Sequence, residues 1–130
     1  MLDTNICTYI AKQHPIAVAE RFERLAFGTV GMSLISFGEL RYGAEKSARR
    51  EEALNTLGRL AELIPVIEPD AAVREAYGAL RALLEHAGTP IGNNDLWIAA
   101  HALGLGVKLV SNNIREFERV PKLVLENWAA

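Results

Sequence analysis

The sequence predicts an α/β fold built around a mostly parallel sheet. Short apolar runs that suit buried strands alternate with longer stretches whose apolar residues repeat at helical spacing, and Gly, Pro and Asn residues separate them. This alternation is typical of βαβ units, in which helices cover a parallel sheet. With 130 residues the chain has the length of one domain, which is expected to span residues 1–130.

The first third of the chain is predicted to contain a short strand, two helices and a buried strand. Residues 1–2 end the first strand, and a helix over 5–13 follows until a proline stops it. A second helix over 16–27 ends at Gly28, which suits a left-handed cap. Residues 29–35 are apolar enough to form a buried strand.

The middle of the chain is predicted to continue with helices and one further strand. Ser36 is a candidate helix N-cap with Glu39 three residues later, which is the spacing of a capping box. Helical spacing of apolar residues extends over 48–64, and 65–69 form a short strand closed by a proline. Asp70 is the expected N-cap of the next helix. The apolar stripe of that helix consists of Val73, Tyr77, Leu80, Leu84 and Ala87.

The last third begins after Gly88 with a turn-rich loop that leads to Asp95. A helix is predicted over 96–103, where glycines follow it, and 107–110 form another buried strand. A turn begins at Ser111, and 123–125 form a last edge strand.

Composition excludes several classes of protein. Half of the residues are apolar, 23% are charged and the net charge is −2, which indicates an ordinary globular protein rather than a disordered one. The single Cys7 cannot form an internal disulfide, and neither a signal peptide nor a run of about 18 apolar residues is present, so we expect a soluble, cytoplasmic protein. The acidic balance argues weakly against nonspecific nucleic-acid binding. Basic residues nevertheless form two local clusters, at Lys46, Arg49 and Arg50 and at Arg115 and Arg119.

Three acidic residues lie where the pattern turns from strand to helix: Asp3, Glu39 and Asp95. The chain has thirteen Glu but only three Asp, and two of those three belong to this set. In open α/β sheets, ligands bind beyond the carboxyl ends of the strands, so distant carboxylates can converge there. Carboxylate oxygens suit Mg²⁺ or Mn²⁺, which can activate water and offset negative charge on a phosphodiester. The pattern therefore favours a divalent-cation site.

Each acidic residue alone has a simpler interpretation as a helix cap, because carboxylates at helix N-termini bind free amides and complement the macrodipole. A zinc site is disfavoured because three His and one Cys are dispersed without ligand spacing. His101, inside an apolar helix, is expected to be a packed or edge histidine. Ser111 either orients a water or carboxylate or is a plain turn serine. The chain contains no Gly-rich phosphate loop that precedes a helix.

At four places the sequence resembles the PIN-domain ribonuclease family, and within it the VapC toxins of toxin–antitoxin pairs. The motifs occur in the expected order and extend over nearly the whole chain. They are Met-Leu-Asp-Thr-Asn at 1–5, Ser36-x-x-Glu39-Leu40-x-Tyr42-Gly43, Ile91-Gly92-x-x-Asp95-x-x-Ile98-Ala99-Ala100 and Val110-Ser111-Asn112-Asn113-x-Arg115-Glu116-Phe117.

The resemblance implies a three-layer α/β/α fold with a five-stranded, mostly parallel sheet and commonly a homodimer. It implies Mg²⁺- or Mn²⁺-dependent cleavage of RNA, often tRNA, which a cognate VapB-like antitoxin blocks. By the same resemblance Asp3, Glu39 and Asp95 bind metal, with Ser111 and Asn113 supporting the site.

Two departures from the family pattern accompany the resemblance. Many PIN domains carry a fourth acid where this chain has Asn113, and Glu116 is the candidate substitute. Relatives also have a few more residues before the first strand, so the strand that carries Asp3 is expected to be short or frayed.

The leading functional hypothesis is therefore a metal-dependent endoribonuclease toxin. A DNA-directed or flap-type nuclease could use the same carboxylates, and substrate assays would separate the two. A noncatalytic binding module, in which the acids serve only as caps, would lack stabilisation by metal.

Overall fold

The computed structural model describes residues 1–129, which form seven helices and four two-residue strands. The helices are α1 (Thr4–Lys12), α2 (Ile16–Glu23), α3 (Leu34–Glu45), α4 (Arg50–Leu63), α5 (Ala71–His86), α6 (Asn93–Leu105) and α7 (Ile114–Phe117). The strands are β1 (Met32–Ser33), β2 (Val66–Ile67), β3 (Leu109–Val110) and β4 (Leu125–Glu126). Strands and helices alternate through most of the chain, which confirms the predicted α/β class.

All strand pairing is parallel, and a single residue joins the two halves of the sheet. β1 pairs with β2, and β3 pairs with β4. Leu2 makes isolated parallel bridges to Met32 of β1 and to Val110 of β3. The order across the sheet is therefore β2, β1, Leu2, β3, β4. Within residues 1–129 the expected fifth strand is not a regular strand, because its place is taken by this one bridging residue.

The segment around Leu2 is short but firmly bound by main-chain hydrogen bonds. The Leu2 N–H donates to the Gly31 carbonyl at 2.9 Å, and the Asp3 N–H donates to the Val110 carbonyl at 3.0 Å. The Val110 N–H donates to the Met1 carbonyl at 2.8 Å. The side chain of Leu2 is fully buried. The expectation of a frayed strand was wrong, because both neighbouring strands satisfy its backbone groups.

Two apolar clusters cover the two faces of the sheet. One cluster collects side chains of α1 to α4, and the other collects side chains of α5, α6 and α7. Consecutive strand residues divide between them, with Leu2 and Val110 in the first cluster and Met1 and Leu109 in the second. Because successive side chains of a strand point to opposite faces, helices pack on both sides of the sheet.

Short polar side chains cap the helices that leave the sheet. Asp70 caps α5 as predicted, since its Oδ1 accepts a hydrogen bond from the Val73 N–H at 3.2 Å. The capping box predicted at Ser36 was wrong. The helix begins three residues earlier, with Ser33 as N-cap, and the Ser33 Oγ accepts a hydrogen bond from the Ile35 N–H at 3.1 Å. The strand before it ends at Ser33, so the helix starts as soon as the chain leaves the sheet.

Two long helices, α5 and α6, pack closely through a glycine. A Cβ built on Gly104 of α6 would lie 3.0 Å from both the backbone nitrogen and Cγ2 of Val73 in α5. No side chain fits there without displacing the backbone of α5. The buried residues of the predicted apolar stripe, Val73, Leu80 and Leu84, contribute to the same packing. This contact fixes α6, the helix that carries Asp95.

Candidate functional site

The predicted acidic residues gather at the carboxyl edge of the sheet. Asp3 directly follows the bridging residue Leu2, and Ser111 directly follows β3. Glu39 lies in the middle of α3, which leaves β1, while Asp95 lies in the first turn of α6. Because neighbouring parallel strands end on the same side of a sheet, these positions face one region.

Asp3 is almost completely buried and also caps a helix. Its Oδ1 accepts a hydrogen bond from the Ile6 N–H at 2.9 Å, which makes it the N-cap of α1. Burial raises the pKa of Asp3, and the negative charge of Glu39 raises it further. Hydrogen bonding to the Ser111 side chain and to the Ile6 N–H opposes this rise in pKa. The simple interpretation of Asp3 as a cap is thus correct, and the same carboxylate is also hydrogen-bonded to the Ser111 side chain.

The pKa of Asp95 depends on all three of the other acids. It is raised from 3.8 to about 6, and burial is the largest cause. The next causes are the negative charges of Glu116, Asp3 and Glu39, in that order of size. Gly92 is the N-cap of α6, so Asp95 is not the capping residue, although its place in the first turn still complements the helix macrodipole. A partly buried carboxylate surrounded by three others is the arrangement expected of a cation site.

Glu39 is bound by a threonine that sequence reasoning did not single out. The Thr4 hydroxyl donates a hydrogen bond to Oε1 of Glu39 at 2.6 Å. Thr4 is the first residue of α1, directly after Asp3, so this bond connects the start of α1 to α3. The place of Thr4 directly after Asp3, within the Met-Leu-Asp-Thr-Asn motif, is the one sequence signal that could have indicated a role in the site.

Glu116 and Asn113 lie together beside Asp95, as their proximity in the sequence suggested. The Gly92 N–H donates to Oε1 of Glu116 at 2.6 Å, and Nδ2 of Asn113 donates to Oε2 at 2.9 Å. The same Asn113 amide lies 3.5 Å from Oδ2 of Asp95. The Gly92 N–H is the main cause that lowers the pKa of Glu116, and Asn113 contributes to the same effect. Glu116 is therefore ionised while Asp95 holds its proton more tightly.

Ser111 is buried and fixes the turn that carries Asn113. Its Oγ accepts a hydrogen bond from the Asn113 N–H at 2.9 Å. Together with its effect on Asp3, this bond places Ser111 between Asp3 and the Asn113–Glu116 pair. The structure thus brings all six predicted site residues into one region. The Gly92 backbone was not predicted, because a main-chain donor leaves no signal in residue type.

The donors suit a hard divalent cation, but the side chains are not gathered around one point. Four carboxylates supply oxygen ligands only, which is the chemistry that Mg²⁺ and Mn²⁺ prefer. Within residues 1–129, however, no three His, Cys, Asp or Glu side chains are close enough together to hold a metal ion. Glu39 and Glu116 are instead bound to hydrogen-bond donors of the protein. Metal binding at this site therefore requires these side chains to turn toward Asp95.

Sequence and structure comparisons identify related proteins over almost the whole chain. The family model described as "PIN domain" matches residues 1–123. Ribonuclease VapC2 of Rickettsia felis is 44% identical over 129 residues, with 98% of this chain and 96% of that protein covered. The tRNA(fMet)-specific endonuclease VapC of Shigella flexneri is 43% identical, with 99% and 97% covered.

The fold itself matches a solved complex of the same kind. The crystal structure of VapBC2 from Rickettsia felis bound to a DNA fragment from their promoter has a TM-score of 0.92 and 43% identity. The match covers 98% of this chain and 97% of that chain. A parallel α/β sheet with a carboxylate cluster at its carboxyl edge defines the class of the protein. The chain belongs to the PIN-domain family, in the group of the VapC ribonucleases.

None of the helices within residues 1–129 combines the length and the apolar character that crossing a membrane requires.

Proposed function

We propose that this protein is the toxin of a toxin–antitoxin pair and acts as an endoribonuclease that hydrolyses phosphodiester bonds of RNA. The observation that carries the proposal is the convergence of four carboxylates, which come from widely separated positions, around the partly buried Asp95. Relatives that are 43% and 44% identical are named endonuclease and ribonuclease, which supports this activity. One relative is described as specific for tRNA(fMet), so we propose tRNA as the substrate class.

We propose that Mg²⁺ or Mn²⁺ is the cofactor and that Asp3, Glu39 and Asp95 hold it. When bound, the ion would offset negative charge on the phosphodiester and lower the pKa of the attacking water. Glu116 adds a fourth negative charge beside Asp95, and Asn113 donates to Glu116 and keeps it in place. Ser111 restrains the turn on which Asn113 lies. These contacts keep Glu116 and the turn that carries Asn113 beside Asp95, and binding of the ion would require Glu39 and Glu116 to turn toward Asp95.

The partner that we propose is a VapB-like antitoxin that covers a groove next to the site. The groove between α1, α3 and α4 has a volume of about 610 Å³ and includes Thr4 and Glu39 in its lining. Its floor is apolar at Leu57 and Leu60, which suits an amphipathic helix. An antitoxin segment in this groove would reach Glu39 directly. The solved VapBC2 complex of the relative supports such a partner.

Several further properties follow from this assignment as proposals. Residues 1–130 form one PIN domain, and Leu2 represents the central strand of a five-stranded sheet reduced to one residue. The protein forms a homodimer, which light scattering on the purified protein would measure. It acts in the cytoplasm, the compartment that contains both the RNA substrate and the antitoxin.

The test is cleavage of tRNA, structured DNA and single-stranded DNA by purified protein with Mn²⁺. We expect cleavage of tRNA and a loss of about 100-fold or more in Asp95→Asn, because a cation site contributes several kcal/mol to catalysis. Glu75→Gln is the matched control, since this acid is exposed on α5 and pairs only with Arg74. Equal tRNA cleavage by Asp95→Asn and wild type would refute the assignment. Cleavage of DNA alone would show a DNA-directed nuclease instead.

A further inference from the structure

His101 makes a buried hydrogen bond that none of the site chemistry uses. It lies in α6, six residues after Asp95, and its side chain is completely buried. Its Nδ1 is 2.8 Å from Oγ of Ser33. Burial lowers the pKa of His101, so the ring is neutral at pH 7 and acts as a hydrogen-bonding group rather than a cation.

Ser33, the partner of His101, holds the start of α3. Its Oγ accepts a hydrogen bond from the Ile35 N–H and caps the helix. Ser33 is also the last residue of β1 and is fully buried. A hydroxyl can accept one hydrogen bond and take part in another, so Ser33 can serve the cap and His101 together. The imidazole thus contacts the point at which the chain passes from the sheet into α3.

The two helices that this bond connects each carry one of the acids of the candidate site. Glu39 lies on α3 and Asp95 lies on α6. Within residues 1–129, the bond between His101 and Ser33 is the only side-chain hydrogen bond between α6 and the segment formed by β1 and α3. Apolar packing also joins the two segments, for example where Ile35 of α3 packs on the cluster that contains Ile98 and Ala102 of α6, but such packing is less directional than a hydrogen bond.

We propose that His101 is a positioning residue that sets the separation of the Glu39 and Asp95 carboxylates through its hydrogen bond to Ser33. The proposal rests on the proposed function of these acids as a cation site. A buried hydrogen bond between the end of β1 and α6 fixes both the distance between them and the rotation of α6 about its axis. Apolar packing alone allows small relative translations of the two elements. Groups that orient metal ligands from outside typically affect metal affinity or activity by about 10–100-fold when they are removed.

Two polar substitutions of His101 distinguish the effect of the hydrogen bond to Ser33 from the effect of having a polar side chain at this position. The side-chain amide of Asn lies where Nδ1 of His lies, so His101→Asn can keep the bond to Ser33. The amide of Gln lies nearer the position of Nε2, which has no hydrogen-bond partner within residues 1–129. His101→Gln therefore keeps a polar side chain but loses the bond. His101→Leu removes both.

The matched control is Val73→Ala. Val73 is fully buried on α5 and packs against Gly104 of α6, three residues after His101, so its truncation loosens α6 without touching the bond. Urea unfolding gives the free energy of unfolding of each variant. Metal affinities are then compared between variants that lose similar amounts of this free energy. A role that is only structural would reduce metal affinity equally in the control and in the His101 variants of equal stability.

The experiment measures Mn²⁺ affinity from the metal-dependent rise in unfolding temperature, followed by tRNA cleavage. We expect His101→Gln and His101→Leu to bind Mn²⁺ about 10-fold more weakly or worse, and His101→Asn to stay within about threefold of wild type. Val73→Ala should keep wild-type affinity. If His101→Leu does not fold, the Mn²⁺ affinities of His101→Asn and His101→Gln alone test the proposal. Equal affinities for Asn and Gln, or an equal loss in Val73→Ala, would overturn the proposal.

A crystal structure of His101→Gln without metal gives a second measurement that is independent of cofactor and activity. We expect the start of α3 to shift relative to α6, so that the distance between the Glu39 and Asp95 carboxyl carbons changes. An unchanged distance would contradict the positioning role even if the protein proved to be a nuclease. Wild-type protein that neither binds Mn²⁺ nor cleaves RNA, together with a shifted α3, would refute the proposed function and leave the positioning contact intact.

Discussion

Asp95 has three carboxylates as neighbours while it is partly removed from water. Both effects favour its protonated form, which is why the pKa of Asp95 rises to about 6. Hydrogen-bond donors offset this cost only in part for the other acids. Asp3 accepts from the Ile6 N–H, yet burial still raises its pKa, whereas the Gly92 N–H lowers the pKa of Glu116. The pKa rises at the two acids that are most removed from water, Asp3 and Asp95.

Asp95→Asn should stabilise the metal-free protein even though it removes activity. The amide keeps the shape of the side chain but carries no charge beside Glu116, Asp3 and Glu39. We expect the unfolding temperature without metal to rise by roughly 2–5 °C at pH 8, since about 1 kcal/mol shifts it by a few degrees in a domain of this size. Differential scanning calorimetry with a chelator measures this. A decrease would mean that Asp95 makes a favourable contact as an anion.

Glu116 and Asn113 can be tested as alternatives for the fourth acid. We expect Glu116→Gln to reduce tRNA cleavage by about 10-fold or more, because the charge beside Asp95 is lost. Asn113 lies between Asp95 and Glu116, so Asn113→Asp in the Glu116→Gln background returns a carboxylate to the same place and should restore much of the rate. If the double variant is no faster than Glu116→Gln, a carboxylate at position 113 cannot replace Glu116.

Helices were easier to predict from the sequence than strands. The helix after Asp70 was predicted correctly in its cap, in the glycine that follows and in most of its stripe, because 16 residues give a clear period. Val73, Leu80 and Leu84 are buried and Tyr77 is half-buried, whereas Ala87, the C-cap, is exposed. The strands have only two residues each, too few to show alternation, and were predicted too long. The four-residue helix α7 was missed for the same reason.

The candidate site was predicted as a set of residues but not as a geometry. Asp3, Glu39 and Asp95 were singled out as acids at predicted strand-to-helix junctions, and Glu116 as the acid nearest to Asn113 within a family-like motif. Only Asp3 lies at such a junction, because Glu39 is in the middle of α3 and α6 follows another helix. The donors that restrain the acids could not be predicted, since the Gly92 donor is a main-chain group and the bond from Thr4 to Glu39 spans 35 residues. Contacts between residues far apart in sequence, such as His101 with Ser33, require the fold itself.

Gly104→Ala should destabilise the protein because α5 and α6 touch at this glycine. The new Cβ would lie 3.0 Å from the backbone nitrogen of Val73, and a backbone cannot move aside as a flexible side chain can. We expect a loss of about 1–3 kcal/mol in the free energy of unfolding, measured by urea titration. Gly78→Ala in α5 is the matched control.

A Cβ on Gly78 meets no atom within 4 Å, and alanine is the better helix former. We therefore expect Gly78→Ala to be neutral or to stabilise the protein by up to about 1 kcal/mol. Equal effects of the two substitutions would show that close packing at Gly104 does not matter.

The stability of the metal-free protein should depend on pH in a way that follows from the raised pKa values. Asp95 and Asp3 bind a proton more tightly in the folded than in the unfolded chain, so their contribution to stability is complete below about pH 4. The contribution of Asp95 is lost as pH rises through about 6, and that of Asp3 is lost as pH rises through its own raised pKa. Mn²⁺ competes with the Asp95 proton. Its apparent affinity should therefore fall by up to about 10-fold per pH unit below pH 6.

Calorimetry between pH 5 and 8, with and without Mn²⁺, measures both effects. The Asp95→Asn variant is the internal control, because the decline in metal-free stability near pH 6 should be much smaller in it. Glu116 acts in the opposite direction, since its lowered pKa stabilises the protein above about pH 4.5 and the effect is lost at lower pH. A metal-free stability that increases from pH 5 to pH 7 would contradict the raised pKa of Asp95.

The bridge at Leu2 has a consequence for the order in which the protein can be made. Leu2 pairs with Met32 on one side and with Val110 on the other, and the Asp3 side chain beside it is hydrogen-bonded to Ser111. A chain still attached to the ribosome cannot complete this pairing until the segment that carries Val110 and Ser111 has left the exit tunnel. The position of Asp3 in the acidic cluster is therefore completed only late in synthesis.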